Sequence, residues 1–169
     1  MSGAAERESA RVVVIGGGIA GVSTAYHLAL MGCTDVLLLE RDELTSGSTW
    51  HAAGNVPTYS TSWSAMKAQS YTAALYRELA EEFPINYHVT GSVRLAHSRE
   101  RFAEFRHVTS MANAQGMGYD MLTPSQLQEI YPLVETHDLV GALWDPLDGD
   151  IDPSQVTQAL ATQIGRAHV

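Results

Sequence analysis

The sequence predicts an α/β fold that opens as a Rossmann-like dinucleotide-binding domain and continues into a second region built on a mixed sheet. Three observations predict it. An apolar, β-branched run, Arg11 to Ile15, leads straight into Gly16-Gly17-Gly18 and a stretch with helical spacing. A second apolar run, Val36 to Leu39, closes on an acid, Glu40, about 20 residues after the glycines. Further along, strand-like segments alternate with helices that carry their own capping signals.

Composition sets the bounds. The chain has 169 residues, 45% of them hydrophobic, which is enough for one ordinary globular domain with a buried core. Lys and Arg total 10 against 19 Asp and Glu, for a formal net charge of −9. No basic block follows a face that a phosphate backbone could track, so nucleic acid is not an expected partner. One cysteine, Cys33, can build neither a disulfide framework nor a cysteine metal site. Residues 1–10 are expected to be disordered, with neither the apolar core of a signal peptide nor the Arg-rich character of a transit peptide. No stretch approaches transmembrane length, so no membrane partner is expected and the cytoplasm is the expected address.

The elements follow in order. Ile19 to Met31 reads as a helix that Gly32 ends at a left-handed cap position, and the unbroken hydrophobicity of Val36 to Leu39 suits a parallel strand covered on both faces. Thr45 to Tyr59, rich in Gly, Ser, Thr and Ala, reads as a long structured loop with room for one short helical turn. Ser62 to Phe83 is helical, with Met66, Tyr71, Leu75 and Leu79 as its apolar positions and Pro84 as its stop. A strand is expected at Ser92 to Ala96 after Gly91, a helix from Arg99 to Gln115, and another strand at Gly141 to Trp144. Thr123-Pro124-Ser125-Gln126 opens a helix with a capping box, and Asp152-Pro153-Ser154-Gln155 repeats the device.

Gly16-x-Gly18-x-x-Gly21 matches the dinucleotide fingerprint, and each glycine has a physical task. Gly16 permits the tight turn, Gly18 lets backbone approach a diphosphate, and Gly21 lets helix and strand pack closely. The helix start, with Ile19 and Ala20 in its first turn, then faces the negative charge, and Glu40 can accept from ribose hydroxyls. The fingerprint alone does not separate FAD from NAD.

The segment from Glu40-Arg41-Asp42 through Leu44-Thr45-Ser46-Gly47-Ser48-Thr49-Trp50-His51-Ala52-Ala53-Gly54 resembles the N-terminal region of dimethylglycine and sarcosine dehydrogenases. The resemblance continues through Gly91 to Ala96 and Asp148-Gly149-Asp150-Ile151-Asp152-Pro153, and so covers nearly all of Arg11 to Thr162. These are amine-oxidising flavoproteins of the D-amino-acid oxidase fold. The resemblance implies FAD as the cofactor and a small N-methylated amino acid as the substrate. It also implies hydride transfer from the N-methyl carbon to flavin N5, and tetrahydrofolate as a possible one-carbon acceptor in a full-length protein. Residue by residue, it assigns cofactor contact to Gly16, Gly18, Ile19, Ala20, Gly21, Glu40, Arg41, Ser48, Thr49, His51, Ala52 and Ala53, with covalent flavin attachment at His51. A neutral imidazole is a competent nucleophile, and small neighbours such as Ser48, Ala52 and Ala53 leave room for an isoalloxazine ring. No catalytic residue is assigned within the chain.

On this reading residues 11–84 form the first part of an FAD-binding domain, 85–147 begin a substrate domain and 148–162 return to the first. Residues 163–169 are expected to be a non-native tail of a truncated chain whose helix breaks after Thr162, and the piece is expected to be inactive alone. The remaining candidates carry blander expectations. His27, His88, His97, His107 and His137 lack the spacing of a zinc site and read as surface or satisfied core residues. Arg94 reads as half of an ion pair rather than a clamp for a substrate carboxylate. Asp148, Asp150 and Asp152 read as turn and cap residues because a calcium loop would need a further Glu where Gln158 and Ala159 stand. Trp50 and Trp63 either wall the cofactor or pack as ordinary aromatics. Two rival readings remain: an NAD-dependent dehydrogenase, and a non-catalytic module that keeps the fold for interaction.

Overall fold

A computed structural model of the chain describes residues 9–166. In chain order the elements are β1 (Val12–Ile15), α1 (Ile19–Leu30), β2 (Val36–Leu39), a 3₁₀ turn (Thr49–His51), β3 (Asn55–Val56), α2 (Trp63–Glu82), β4 (His88–Val89), β5 (Ser92–Ala96), α3 (Arg99–Ala114), β6 (Asp120–Leu122), α4 (Pro124–Ile130), β7 (Gly141–Asp145), β8 (Gly149–Asp150) and α5 (Pro153–Arg166). They fall into two compact units. One holds the chain up to Gly54, Leu79–Asn86 and everything from Asp152, and the other holds Asn55–Glu78 and Tyr87–Ile151. The start of α2 belongs to the second unit because Met66 is fully buried in that unit's core, so the division differs from the sequence boundary at residue 84.

In the first unit β1 and β2 pair in parallel, Val12 opposite Val36 through Ile15 opposite Leu39. The connecting helix α1 ends as expected, with Gly32 at φ +79°. Cys33 N–H bonds the Leu28 carbonyl at 2.9 Å and Gly32 N–H the Ala29 carbonyl at 2.9 Å, the pattern that satisfies the last carbonyls of a helix. The expectation of a sheet covered on both faces is not met among the described residues. Side chains alternate along β1, so Val13 and Ile15 stay exposed on the face opposite Val12 and Val14 while Leu39 is exposed on β2.

Helix α5 returns to pack on α1. Asp152 caps it, accepting from Ser154 N–H at 2.8 Å and Gln155 N–H at 2.9 Å. The reciprocal half of the expected box is not formed: Gln155 Oε1 is buried without a partner. The helix also runs past Thr162, and Gln163 Nε2 bonds Glu82 at 2.9 Å. Residues 1–8 and 167–169, where the expected disordered start and most of the expected tail's end lie, are outside the described residues.

In the second unit two three-stranded antiparallel sheets form, in the orders β3-β8-β4 and β5-β7-β6. Helix α3 covers the larger sheet with Phe105, Val108 and Ala112, which meet Met66, Ala96 and Leu143 in the core. Along α2 the buried positions are Met66, Ala73, Leu75 and Leu79, and Tyr71 is half exposed. Tyr71 stands one turn before Leu75 on the same side of the helix, so its exposure is not a failure of the spacing. Thr123 and Gln126 complete the predicted capping box on α4: Thr123 Oγ1 accepts from Gln126 N–H at 3.3 Å and Gln126 Oε1 from Thr123 N–H at 2.9 Å. The very short strands β3, β4, β6 and β8 left no readable alternation in the sequence.

Candidate functional site

The turn after β1 depends on glycine at two places. Gly16 lies at φ +111°, where an L side chain is strained. At Gly21 an added Cβ would sit 1.9 Å from the Gly16 carbonyl oxygen, so helix and strand approach as closely as the fingerprint requires. The helix that follows begins without a side-chain cap on Gly18 and without an acid in its first turn. Its positive end is therefore open to an anion.

Two side chains organise this end. Glu40 Oε2 accepts from Gly17 N–H at 2.6 Å, and its Oε1 accepts from Arg41 N–H at 2.8 Å and Asp42 N–H at 3.2 Å. The bond from Gly17, then those from Asp42 and Arg41, hold the carboxyl below its usual range, so it is ionised and retains lone-pair capacity for a hydroxyl donor. Thr49, buried in the 3₁₀ turn, accepts from the first helical amide, Ile19 N–H, at 3.0 Å. The loop between them is held tightly: Thr45 N–H bonds the Gly17 carbonyl at 3.0 Å, and Thr45 itself sits at φ +72°. A β-branched residue there is an outlier, which persists only where surrounding bonds over-determine it.

His51 lies two residues beyond Thr49. Its imidazole is exposed, stacks on Trp50 at a centroid distance of 3.7 Å, and places Nδ1 3.2 Å from the Gly47 carbonyl. A carbonyl only accepts, so this bond puts the proton on Nδ1 and leaves the Nε2 lone pair free. Ser48, Ala52 and Ala53 are exposed beside it. The structure thus brings Gly16, Gly18, Ile19, Ala20, Gly21, Glu40 and Thr49 together around one helix start, with Ser48, His51, Ala52 and Ala53 on the adjoining loop. Arg41 is not drawn in. Its guanidinium is exposed and pairs with Asp42 at 3.1 Å. Trp50 and Trp63 are both about half exposed rather than packed.

The expectations elsewhere resolve plainly. Arg94 is an ion-pair residue, 3.1 Å from Asp148 and stacked 4.3 Å over the Tyr59 ring. Asp152 is a cap, and Asp150 pairs with His88 at 3.1 Å on the surface. Asp148 differs from the expected turn residue: it is buried, receiving Thr58 N–H, Ser92 Oγ and Arg94. No local pattern marked it, because its partners lie up to 90 residues away. Nδ1 of His27 donates to Ser23 O, His97 and His137 pair with Asp138 and Glu135, and His107 is exposed. Among the described residues no group of three or more His, Cys, Asp or Glu could hold a metal ion.

The donor set fits a nucleoside diphosphate: a helix start with no acid in its first turn and only Ile19 N–H taken by a side chain, a carboxylate with spare lone pairs, and a glycine turn. The family model described as "FAD dependent oxidoreductase" matches residues 11–169. The chain belongs to that family. Membership in a family described as FAD-dependent supports FAD over NAD as the dinucleotide this fold takes. It is 40% identical over 158 residues to the mitochondrial dimethylglycine dehydrogenase of Rattus norvegicus, covering 92% of this chain and 18% of that protein. The mitochondrial pyruvate dehydrogenase phosphatase regulatory subunit of Mus musculus is 39% identical, covering 90% and 18%. The mitochondrial sarcosine dehydrogenase of Homo sapiens is 38% identical, covering 90% and 17%. Among solved structures, an L-proline dehydrogenase from P. horikoshii superposes with a TM-score of 0.83 at 28% identity, covering 95% of this chain and 42% of that one. The chain therefore spans less than a fifth of the length of these three curated relatives.

Proposed function

We propose that the chain serves as the N-terminal part of an FAD-dependent amine oxidoreductase acting on an N-methylated glycine, with the flavin tethered through His51. When bound, the flavin accepts the electrons of amine oxidation. The residues of this chain hold it in place. The start of α1 faces the diphosphate, Glu40 accepts from the adenosine ribose, and Thr49 fixes the loop that carries His51 against Ile19. The observation that carries the tether is the His51 bond to Gly47, which leaves Nε2 as the unprotonated, outward nitrogen. Nε2 is accordingly the atom of attachment. The substrate assignment rests on similarity to dimethylglycine and sarcosine dehydrogenases. Transfer of the released carbon to tetrahydrofolate belongs to the same reading, for a full-length protein.

The test is to express the full-length protein, denature it, and ask whether flavin fluorescence migrates with the polypeptide. Fluorescence that stays with the wild type and leaves in His51→Ala supports the tether. Flavin that separates from denatured wild type refutes it and leaves noncovalent binding. A second reading, a non-catalytic module that keeps the fold, is favoured by the likeness to a regulatory subunit. Turnover of dimethylglycine or sarcosine by the full-length protein excludes it.

A further inference from the structure

The second unit buries a polar cluster that the flavin site does not use. Asp145, at the end of β7, has no exposed surface, and Thr58, just after β3, has none either. Thr58 Oγ1 lies 3.0 and 2.8 Å from the two Asp145 oxygens, 3.1 Å from Asp148 Oδ1 and 3.0 Å from the Tyr119 hydroxyl. One hydroxyl owns a single hydrogen and two lone pairs. If both aspartates were ionised, Thr58 could satisfy only one, and the other would press an anionic oxygen against a lone pair in the protein interior. Asp145 would be the worse served. Its Oδ1 receives Leu147 N–H at 3.0 Å, but the nearest cation, Arg94 Nη1, is 4.0 Å from Oδ2, beyond hydrogen-bond reach. Asp148 is the better served: Thr58 N–H at 2.6 Å, Ser92 Oγ at 2.5 Å and Arg94 Nη2 at 3.1 Å all donate to it.

We propose that Asp145 is kept as a neutral carboxylic acid at neutral pH, donating its hydrogen to Thr58 while Thr58 donates its own to ionised Asp148, so that the second unit carries a proton-dependent latch. This assignment closes the count. Thr58 accepts from Asp145 and Tyr119 and donates to Asp148, so its one hydrogen and both its lone pairs are used. The latch joins the segment after β3, the end of β7 and the turn before β8, tying the two small sheets of this unit together.

The neighbours treat the two carboxyls differently, and at Asp145 burial opposes the bonds that Tyr119, Thr58 and the Leu147 amide offer its ionised form. Burial pushes the Asp145 carboxyl up. Burial also pushes at Asp148, but its bonds from Ser92, Asp145 and the Thr58 amide, with Arg94 nearby, bring it below the usual range. Burial pushes the Tyr119 and Tyr87 phenols up, so both stay neutral. Arg94, held over the Tyr59 ring, faces Asp148 more closely than Asp145. Because the Asp145 carboxyl is raised above its unfolded value, its contribution to stability is complete at acid pH and declines as pH rises toward its folded value.

Infrared spectroscopy of the flavin-loaded full chain at neutral pH, with isotopically labelled aspartate, tests the proposal. Apart from Asp148, buried in the same cluster, the other described aspartates are exposed or, in Asp152, capping a helix, so the variant decides which member of the pair carries the proton. A carboxylic-acid carbonyl band that moves with the label and disappears in Asp145→Asn supports the latch. Absence of the band from wild type, or its persistence in that variant, overturns it. Thr58→Val, nearly isosteric, supplies a second reading should the first variant not fold: the band shifts when the Thr58 acceptor is gone, and an unshifted band overturns the proposal. In Asp145→Asn the decline in melting temperature as pH rises above the ordinary carboxylate range should also be lost.

Discussion

Replacing Gly21 by alanine puts the close helix-strand approach to a direct test. The new Cβ would stand 1.9 Å from the Gly16 carbonyl oxygen, 3.1 Å from the Gly16 carbonyl carbon and 3.4 Å from Val14 Cγ1. The first two are backbone atoms and cannot rotate away, so α1 must retreat by about 1.5 Å to restore ordinary contact. Overpacking of this kind costs about 1–3 kcal/mol, and a backbone clash belongs at the upper end. For a domain of 150–250 residues about 3 kcal/mol corresponds to a melting temperature lower by roughly 6–12 °C. The same retreat draws the amides of α1 away from the diphosphate, so flavin content should fall with stability. The assay is thermal unfolding beside flavin absorbance per polypeptide, with Gly47→Ala as the control, since nothing lies within 4 Å of a Cβ there. A Gly21→Ala protein that melts within a degree of wild type and keeps its flavin would refute the packing argument.

Other perturbations address separate parts of the molecule. Thr49→Val removes the acceptor of Ile19 N–H without changing side-chain size, and should cost about 1 kcal/mol in chemical unfolding while loosening the loop that carries His51. A variant with unchanged stability and unchanged flavin retention would speak against that link. Arg94→Met keeps apolar contact with Tyr59 but leaves Asp148 buried without its cation, and a loss of about 3 kcal/mol in denaturant unfolding is expected. As pH falls, the lowered Asp148 carboxyl must take up a proton: its stabilisation is present above the unfolded value, about 3.9, and is lost through its lower folded value. Wild type should therefore show an acid limb of stability that is smaller in Arg94→Met, and equal limbs would contradict the pairing.

Much of the flavin half was legible without coordinates because its signals are local. A strand, three glycines, a helix and an acid at the next strand end fix one another within thirty residues, and the structure returns that unit with Gly32 in its expected capping geometry; in the second unit Thr123 caps its helix as expected. The errors concern side-chain surroundings. Tyr71 keeps the i,i+4 spacing with Leu75 yet is half exposed, and the Gln155 side chain does not reach back to the Asp152 amide although Asp152 caps the helix. The covered sheet expected from Val36 to Leu39 was inferred from hydrophobicity alone, which records what a strand can bury and not what lies on it.

The sequence by itself determined the dinucleotide turn, the ionised acid that answers it and the loop on which His51 stands, since each follows from backbone stereochemistry and short-range hydrogen bonding. Only the tertiary structure decided that Thr49 fastens that loop to Ile19 and that Asp145 and Asp148 meet over the hydroxyl of Thr58. The last contacts join residues 87 and 90 positions apart. Proton placement there depends on how many donors converge on one buried oxygen, a number that no spacing along the chain contains.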